Sequence, residues 1–151
     1  MRSKLPDIGT TIFTVMSRMA QEYGAINLSQ GFPDFDCPPR LLELVSYYLN
    51  DRKNQYPPMT GIPQLREQIA AKVLDLYGVA ADMDQEVTVT SGGTEALFDA
   101  IQATVSRGDE VIVFDPAYDS YGPGIALAGG VTVHIPLSLP DFRIDWNLVK
   151  D

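Results

Sequence analysis

Apolar side chains recur along the chain at two different spacings, and the change from one to the other divides it. Phe13, Met16, Met19, Ala20 and Tyr23 fall three or four residues apart, which predicts an amphipathic helix near the N-terminus. The short run Ala25-Ile-Asn-Leu28 follows Gly24 and reads as strand-like. From Pro39, the residues Leu41, Leu44, Val45, Tyr48 and Leu49 lie at i, i+3, i+4, i+7 and i+8. This second helix has proline in its first turn, where the missing N–H does no harm. A third helix opens at Pro63, carries Leu65, Ile69, Val73 and Leu76 on one face, and stops at Gly78, a residue suited to a left-handed cap.

After Gly78 the texture changes. Short β-branched runs alternate with helical stretches: Val87-Thr-Val-Thr90, then Ala96 to Val105, Val111-Ile-Val-Phe114, Pro123 to Ala128, and Val131-Thr-Val-His-Ile135. Strand, helix, strand, helix, strand in units of this length predicts parallel α/β architecture joined by right-handed crossovers. Asp145 is placed to cap a helix at Trp146, which the chain's last residues carry for about one turn. An end inside a helix reads as truncation of a longer protein.

Composition narrows the function without naming it. A chain of 151 residues with 45% hydrophobic and 21% charged residues suits one soluble globular domain. Its net charge of −9 sets it against nucleic acid or an anionic membrane as partner, because both would be repelled over most of the surface. One cysteine, Cys37, forms no internal disulfide, and no apolar run approaches the roughly 20 residues that span a bilayer. The N-terminus lacks the apolar core of a signal peptide, so a cytoplasmic location is expected.

The stretch that carries most chemistry is Val87-Thr-Val-Thr-Ser-Gly-Gly-Thr-Glu-Ala96, a strand passing through two glycines into a helix. Free N–H groups and the positive dipole end at such a helix start make a cradle for phosphate. A plain tight turn is the alternative reading. Neither the Lys-Ser/Thr of a Walker loop nor the G-x-G-x-x-G of dinucleotide folds is present, which disfavours a nucleotide but not a phosphate. The next strand runs out through Asp115-Pro-Ala-Tyr118, at the strand end where ligands of open α/β sheets collect. Tyr118 is the aromatic best placed to stack on a ligand ring, the alternative being that it and Tyr121 cover core edges. His134 and Cys37 are expected to be packing residues, and no constellation of metal ligands exists.

These stretches, in this order, resemble the fold-type I pyridoxal-phosphate-dependent aminotransferases, in the branch of kynurenine and methionine-preferring enzymes. The specific matches are Ile26-Asn-Leu-Ser-Gln-Gly-Phe-Pro-Asp-Phe35, Asn54-Gln-Tyr-Pro-Pro-Met-Thr-Gly61, Ser91-Gly-Gly-Thr-Glu-Ala-Leu97 and Gly108-Asp-Glu-Val-Ile112, the last running on into Asp115-Pro-Ala-Tyr118. The resemblance implies an N-terminal arm over residues 1–35 with a small-domain contribution. It implies that residues 36–151 are the first part of a cofactor-binding large domain with a mixed, mostly parallel sheet flanked by helices. Gly92, Gly93 and Thr94 would hold the phosphate of pyridoxal 5'-phosphate, and Tyr118 would stack on its ring. Tyr56 would reach the phosphate of a neighbouring subunit in a homodimer, its alternative being interface packing beside Pro57 and Pro58. Gly31 would meet the substrate carboxylate. Phe13 would line the side-chain pocket together with Phe32, although the apolar face of the arm helix accounts for Phe13 equally well.

The resemblance also implies what the chain lacks. The lysine that holds the cofactor as a Schiff base is expected beyond Asp151, since Lys4, Lys53, Lys72 and Lys150 stand in arm, helix or chain-end contexts. The strands joining Val87–Thr90 to the other two would also come from beyond Asp151. The 151-residue chain is therefore expected to be inactive and poorly folded alone, and part of an enzyme converting methionine or aromatic amino acids to 2-oxo acids. A naturally short, non-catalytic protein binding a phosphorylated ligand is the competing reading.

Overall fold

Helices form where the apolar spacing and the stop residues place them in this computed structural model, which describes residues 3–31 and 33–150. α1 (Ile12–Glu22) is opened by Thr11, whose extended backbone lets its hydroxyl accept from the Thr14 N–H at 3.4 Å. α2 (Pro39–Asn50) and α3 (Pro63–Tyr77) each carry proline in the first turn, and Gly78 ends α3 with φ 67°. The chain forms two units, residues 30–90 in one and residues 1–29 with 91–151 in the other.

The larger unit contains the sheet. After α4 (Gly93–Thr104), strand β1 (Glu110–Asp115) leads through α5 (Tyr121–Ala128) to β2 (Val131–Pro136), and the two strands pair in parallel with Val113 opposite His134. A parallel pair needs a crossover that returns to the same end of the sheet, and the crossover helix covers one face. Here Ile125 of α5 is 1% exposed, against Val113 and Ile135 at 6% each. These three residues are the heart of the core. α6 (Trp146–Lys150) begins as its sequence predicts, with the Asp145 carboxylate accepting from the Asn147 N–H at 2.9 Å.

The α/β class is borne out, with helices around a parallel sheet. Among the described residues the expected mixed sheet comprises these two strands, with one isolated antiparallel bridge between Ser138 and Arg143. Two expected strands are not strands. Residues 87–90 form no regular element, and the Val89 N–H donates to the carbonyl of Thr60 in a loop at 3.0 Å. Residues 25–28 fold back on α1 instead, through Ala25 N–H to Ala20 O at 2.8 Å and Asn27 to the Ser17 hydroxyl at 3.0 Å. Alternation sets an extended backbone, whereas a strand requires a neighbouring ladder.

The smaller unit is held by a polar staple. Arg66 of α3 is 7% exposed and donates to Gly61 O at 3.1 Å, Met83 O at 2.5 Å and the Asp84 carboxylate at 2.9 Å. Gly61 itself has φ 97°, and a Cβ there would stand 2.7 Å from a methyl of Val89, so both conformation and space demand glycine. The apolar stripe of α2 is uncovered, with Leu41, Val45, Tyr48 and Leu49 each at least half exposed.

Candidate functional site

The site is built where α4 begins and β1 ends. Gly92 caps α4 at φ 100° and ψ 167°, a conformation that side chains rarely adopt. The turn lets the chain enter the helix abruptly, so that the first amides of α4 lie at its open, positive end. A Cβ added at Gly92 or Gly93 would meet nothing within 4 Å. The space before the helix is therefore open to a ligand. Glu95, in the first turn, accepts from the Ser91 N–H and so satisfies one donor just ahead of the cap.

Tyr118 comes to the same place from the loop that follows β1. Its phenol oxygen lies 3.0 Å from the Thr94 hydroxyl, either group being able to donate. The side chain is 41% exposed, and its ring meets that of Tyr121 edge to face, with centroids 5.8 Å apart and planes at 78°. A cavity of about 430 Å³ opens beside the pair, and its lining includes Phe13, Thr94, Phe98, Tyr118, Pro123 and Leu127. A glycine-rich helix start, a hydroxyl pair, an aromatic ring and an apolar wall thus lie close together. That set matches a ligand with an anionic end and a planar body.

Gly92, Gly93, Thr94, Tyr118 and Phe13 are therefore brought into one region of one unit. Gly31 and Tyr56 belong to the other unit, each on exposed backbone, and Tyr56 is 100% exposed. Gly31 has no neighbour within 4 Å of an added Cβ. Phe32 lies outside the described residues. Two expectations about packing fail: Cys37 is exposed, and His134 pairs its Nδ1 with the Asp115 carboxylate at 2.8 Å while its side chain stays 59% exposed. His134 stands opposite Val113, two register positions from the Asp115–Pro136 end, and a polar partner further along the neighbouring strand replaces a core contact. Among the described residues no group of His, Cys, Asp and Glu side chains is arranged to hold a metal, and no helix is long and apolar enough to cross a membrane.

Several lining residues escape a reading of the sequence alone. Phe98 follows Thr94 by four positions on α4, so helical spacing puts both on one face and could have revealed it. Leu127 and Pro123 of α5 carry no such signal, since only the packing of α5 on α4 places them.

Comparisons with known proteins identify the family. The family model described as aminotransferase class I and II matches residues 23–151. Methionine aminotransferase of Escherichia coli (strain K12) is 57% identical over 97% of this chain, which spans 38% of that relative. A probable N-succinyldiaminopimelate aminotransferase of Mycobacterium tuberculosis is 45% identical over 93% of the chain and 35% of the relative. Among solved structures, that of an Escherichia coli protein with a methionine aminotransferase function superposes with a TM-score of 0.93 at 56% identity, covering 99% of this chain and 39% of that one.

Proposed function

We propose a function for this chain from one premise: it belongs to the class I and II aminotransferase family. The chain spans just over a third of the length of the relatives it matches, and the reading applies to a longer enzyme that carries it. That enzyme transfers the amino group of methionine or a large aromatic amino acid, kynurenine included, to a 2-oxo acid. The observation that carries the reading is the junction of the open Gly92-Gly93 helix start with the bonded Thr94 and Tyr118. The apolar wall of Phe13, Phe98 and Leu127 favours an apolar donor over a charged one.

The family is dependent on pyridoxal phosphate, and the residues present fit that group. The amides of Gly93 and Thr94 and the Thr94 hydroxyl would hold its phosphate, and Tyr118 would lie against its ring. When bound, the cofactor supplies the carbonyl that takes up the amino group and the electron sink for the substrate Cα. This chain's residues supply binding and orientation. Phe13 excludes water from the donor side chain, and Gly31 offers backbone to the donor carboxylate. None of Lys4, Lys53, Lys72 and Lys150 moves the proton in this reading. Residues 1–35 act as an arm and residues 36–151 as the start of the large domain. The enzyme is a cytoplasmic homodimer in which the fully exposed Tyr56 donates its phenol to the partner's cofactor phosphate.

The test pairs two proteins, the 151-residue chain and the longer product of its reading frame. The longer product is expected to transaminate methionine, phenylalanine or kynurenine faster than aspartate, and the short chain to be inert. A reading frame that closes at codon 151, with a short chain that binds phosphate esters, would replace this reading with that of a small binding protein.

A further inference from the structure

We infer that Tyr121 is a positioning residue that sets the plane of the Tyr118 ring before any ligand arrives, an inference that rests on Tyr118 being the ring that stacks on the cofactor. Tyr118 stands on a loop, and its phenol oxygen is held at one point, by Thr94 at 3.0 Å. A ring tethered only through its oxygen still rotates about its own axis. The second contact is what fixes the plane: the Tyr121 ring meets it edge to face at 5.8 Å and 78°, within the spacing and angle that the aromatic quadrupole favours.

Tyr121 is itself anchored. It is the first residue of α5, its N–H closes a turn onto the Tyr118 carbonyl at 3.2 Å, and its side chain is only partly exposed. With Leu97 and Ile101 of α4, Val113 of β1 and the fully buried Ile125, its side chain also lines an apolar cavity of about 320 Å³. The helix start and its turn therefore hold the Tyr121 ring beside an exposed loop. Tyr118 is presented in one orientation, and the ordering that a stacking contact requires is done in advance. Nothing in this arrangement asks Tyr121 to touch the ligand.

The experiment uses the holoenzyme that carries this sequence, stripped of cofactor and titrated with pyridoxal phosphate. Tyr121→Leu is expected to weaken binding about 2- to 10-fold, the size of one aromatic pair. It is also expected to change the circular dichroism of the bound cofactor, which reports the geometry of stacking and is insensitive to a general loss of stability. Tyr121→Phe keeps the ring and is expected to retain both properties. Tyr121→Met, which fills similar volume without a ring, is read in the same way should the leucine variant not fold. Normal affinity and an unchanged dichroism band in the leucine or methionine variant would overturn the inference, as would equal loss in Tyr121→Phe, since the hydroxyl would then be the operative group. Tyr118→Leu separates the two levels: if it too leaves binding untouched, the site reading itself fails and the inference falls with it.

Discussion

α5 and α2 are both apolar helices, yet they end in opposite environments. Ile125 of α5 is 1% exposed, whereas no residue of α2 is buried and Leu41, Leu42, Val45, Tyr48 and Leu49 are all at least half exposed. Apolar spacing along one face marks α2, whereas α5 is apolar without such a face. What also differs is the partner. α5 joins two parallel strands that pair along their full length, so the connection itself brings the helix onto the sheet. Among the described residues of its own unit α2 has no such neighbour, and that unit is bonded instead by the Arg66 staple between α3 and the turn at Met83 and Asp84. The candidate site belongs to the first environment. Gly92, Thr94 and Tyr118 stand at the edges of a core whose elements follow one another directly in sequence.

The largest expected effect comes from removing the buried branch of α5. Ile125→Ala should cost about 2–5 kcal/mol of local stability, seen as lost hydrogen-exchange protection in β1 and β2. Val45→Ala on the exposed face of α2 should change protection by no more than about 0.5 kcal/mol. Equal losses from the two substitutions would break the comparison, because α2 would then be as well packed as α5.

A smaller effect would sharpen it. If the unit of residues 30–90 is held by polar bonds more than by apolar burial, Arg66→Ala should destabilise it by roughly 1–3 kcal/mol, the range for leaving buried acceptors without a donor. Asp84 contributes little to that figure, since its side chain is 69% exposed. Exchange should quicken around Gly61 and Met83 and remain unchanged in β1. Loss spreading evenly through both units would show that the staple serves the whole chain.

The sequence was most legible where a local signal suffices. Pro39 and Pro63 open α2 and α3 and Gly78 ends α3, because missing N–H groups and left-handed caps act within one turn, whereas the Thr11 cap of α1 was visible only in the structure. The strands at Val111 and Val131 were legible because each finds the other as its ladder partner. Residues 87–90 have the same β-branched character, but the Val89 N–H donates to the loop carbonyl of Thr60, and no periodicity reveals which neighbour such a segment will find. At the candidate site, the helix start at Gly92 and Gly93 was legible from its two glycines, and the place of Tyr118 from the end of the strand at Val111. The His134–Asp115 pair and the Tyr118–Tyr121 contact were not, since they depend on strand register and ring orientation. Phe13 lay between two readings, arm face or pocket wall, and its place beside Thr94 and Tyr118 in one cavity follows only from tertiary folding.

The central claim is that the start of α4 holds the cofactor phosphate, and Gly93 tests it most directly. Its backbone is helical and an added Cβ meets nothing within 4 Å, so Gly93→Val intrudes on the space before the helix without colliding with the protein. Titration of the cofactor-free parent enzyme with pyridoxal phosphate should show at least about tenfold weaker binding in this variant, the equivalent of one lost hydrogen bond to a charged group. Thermal unfolding of the cofactor-free protein should stay near that of the parent. Unchanged affinity in a normally folded variant would contradict the account and remove this loop from the site.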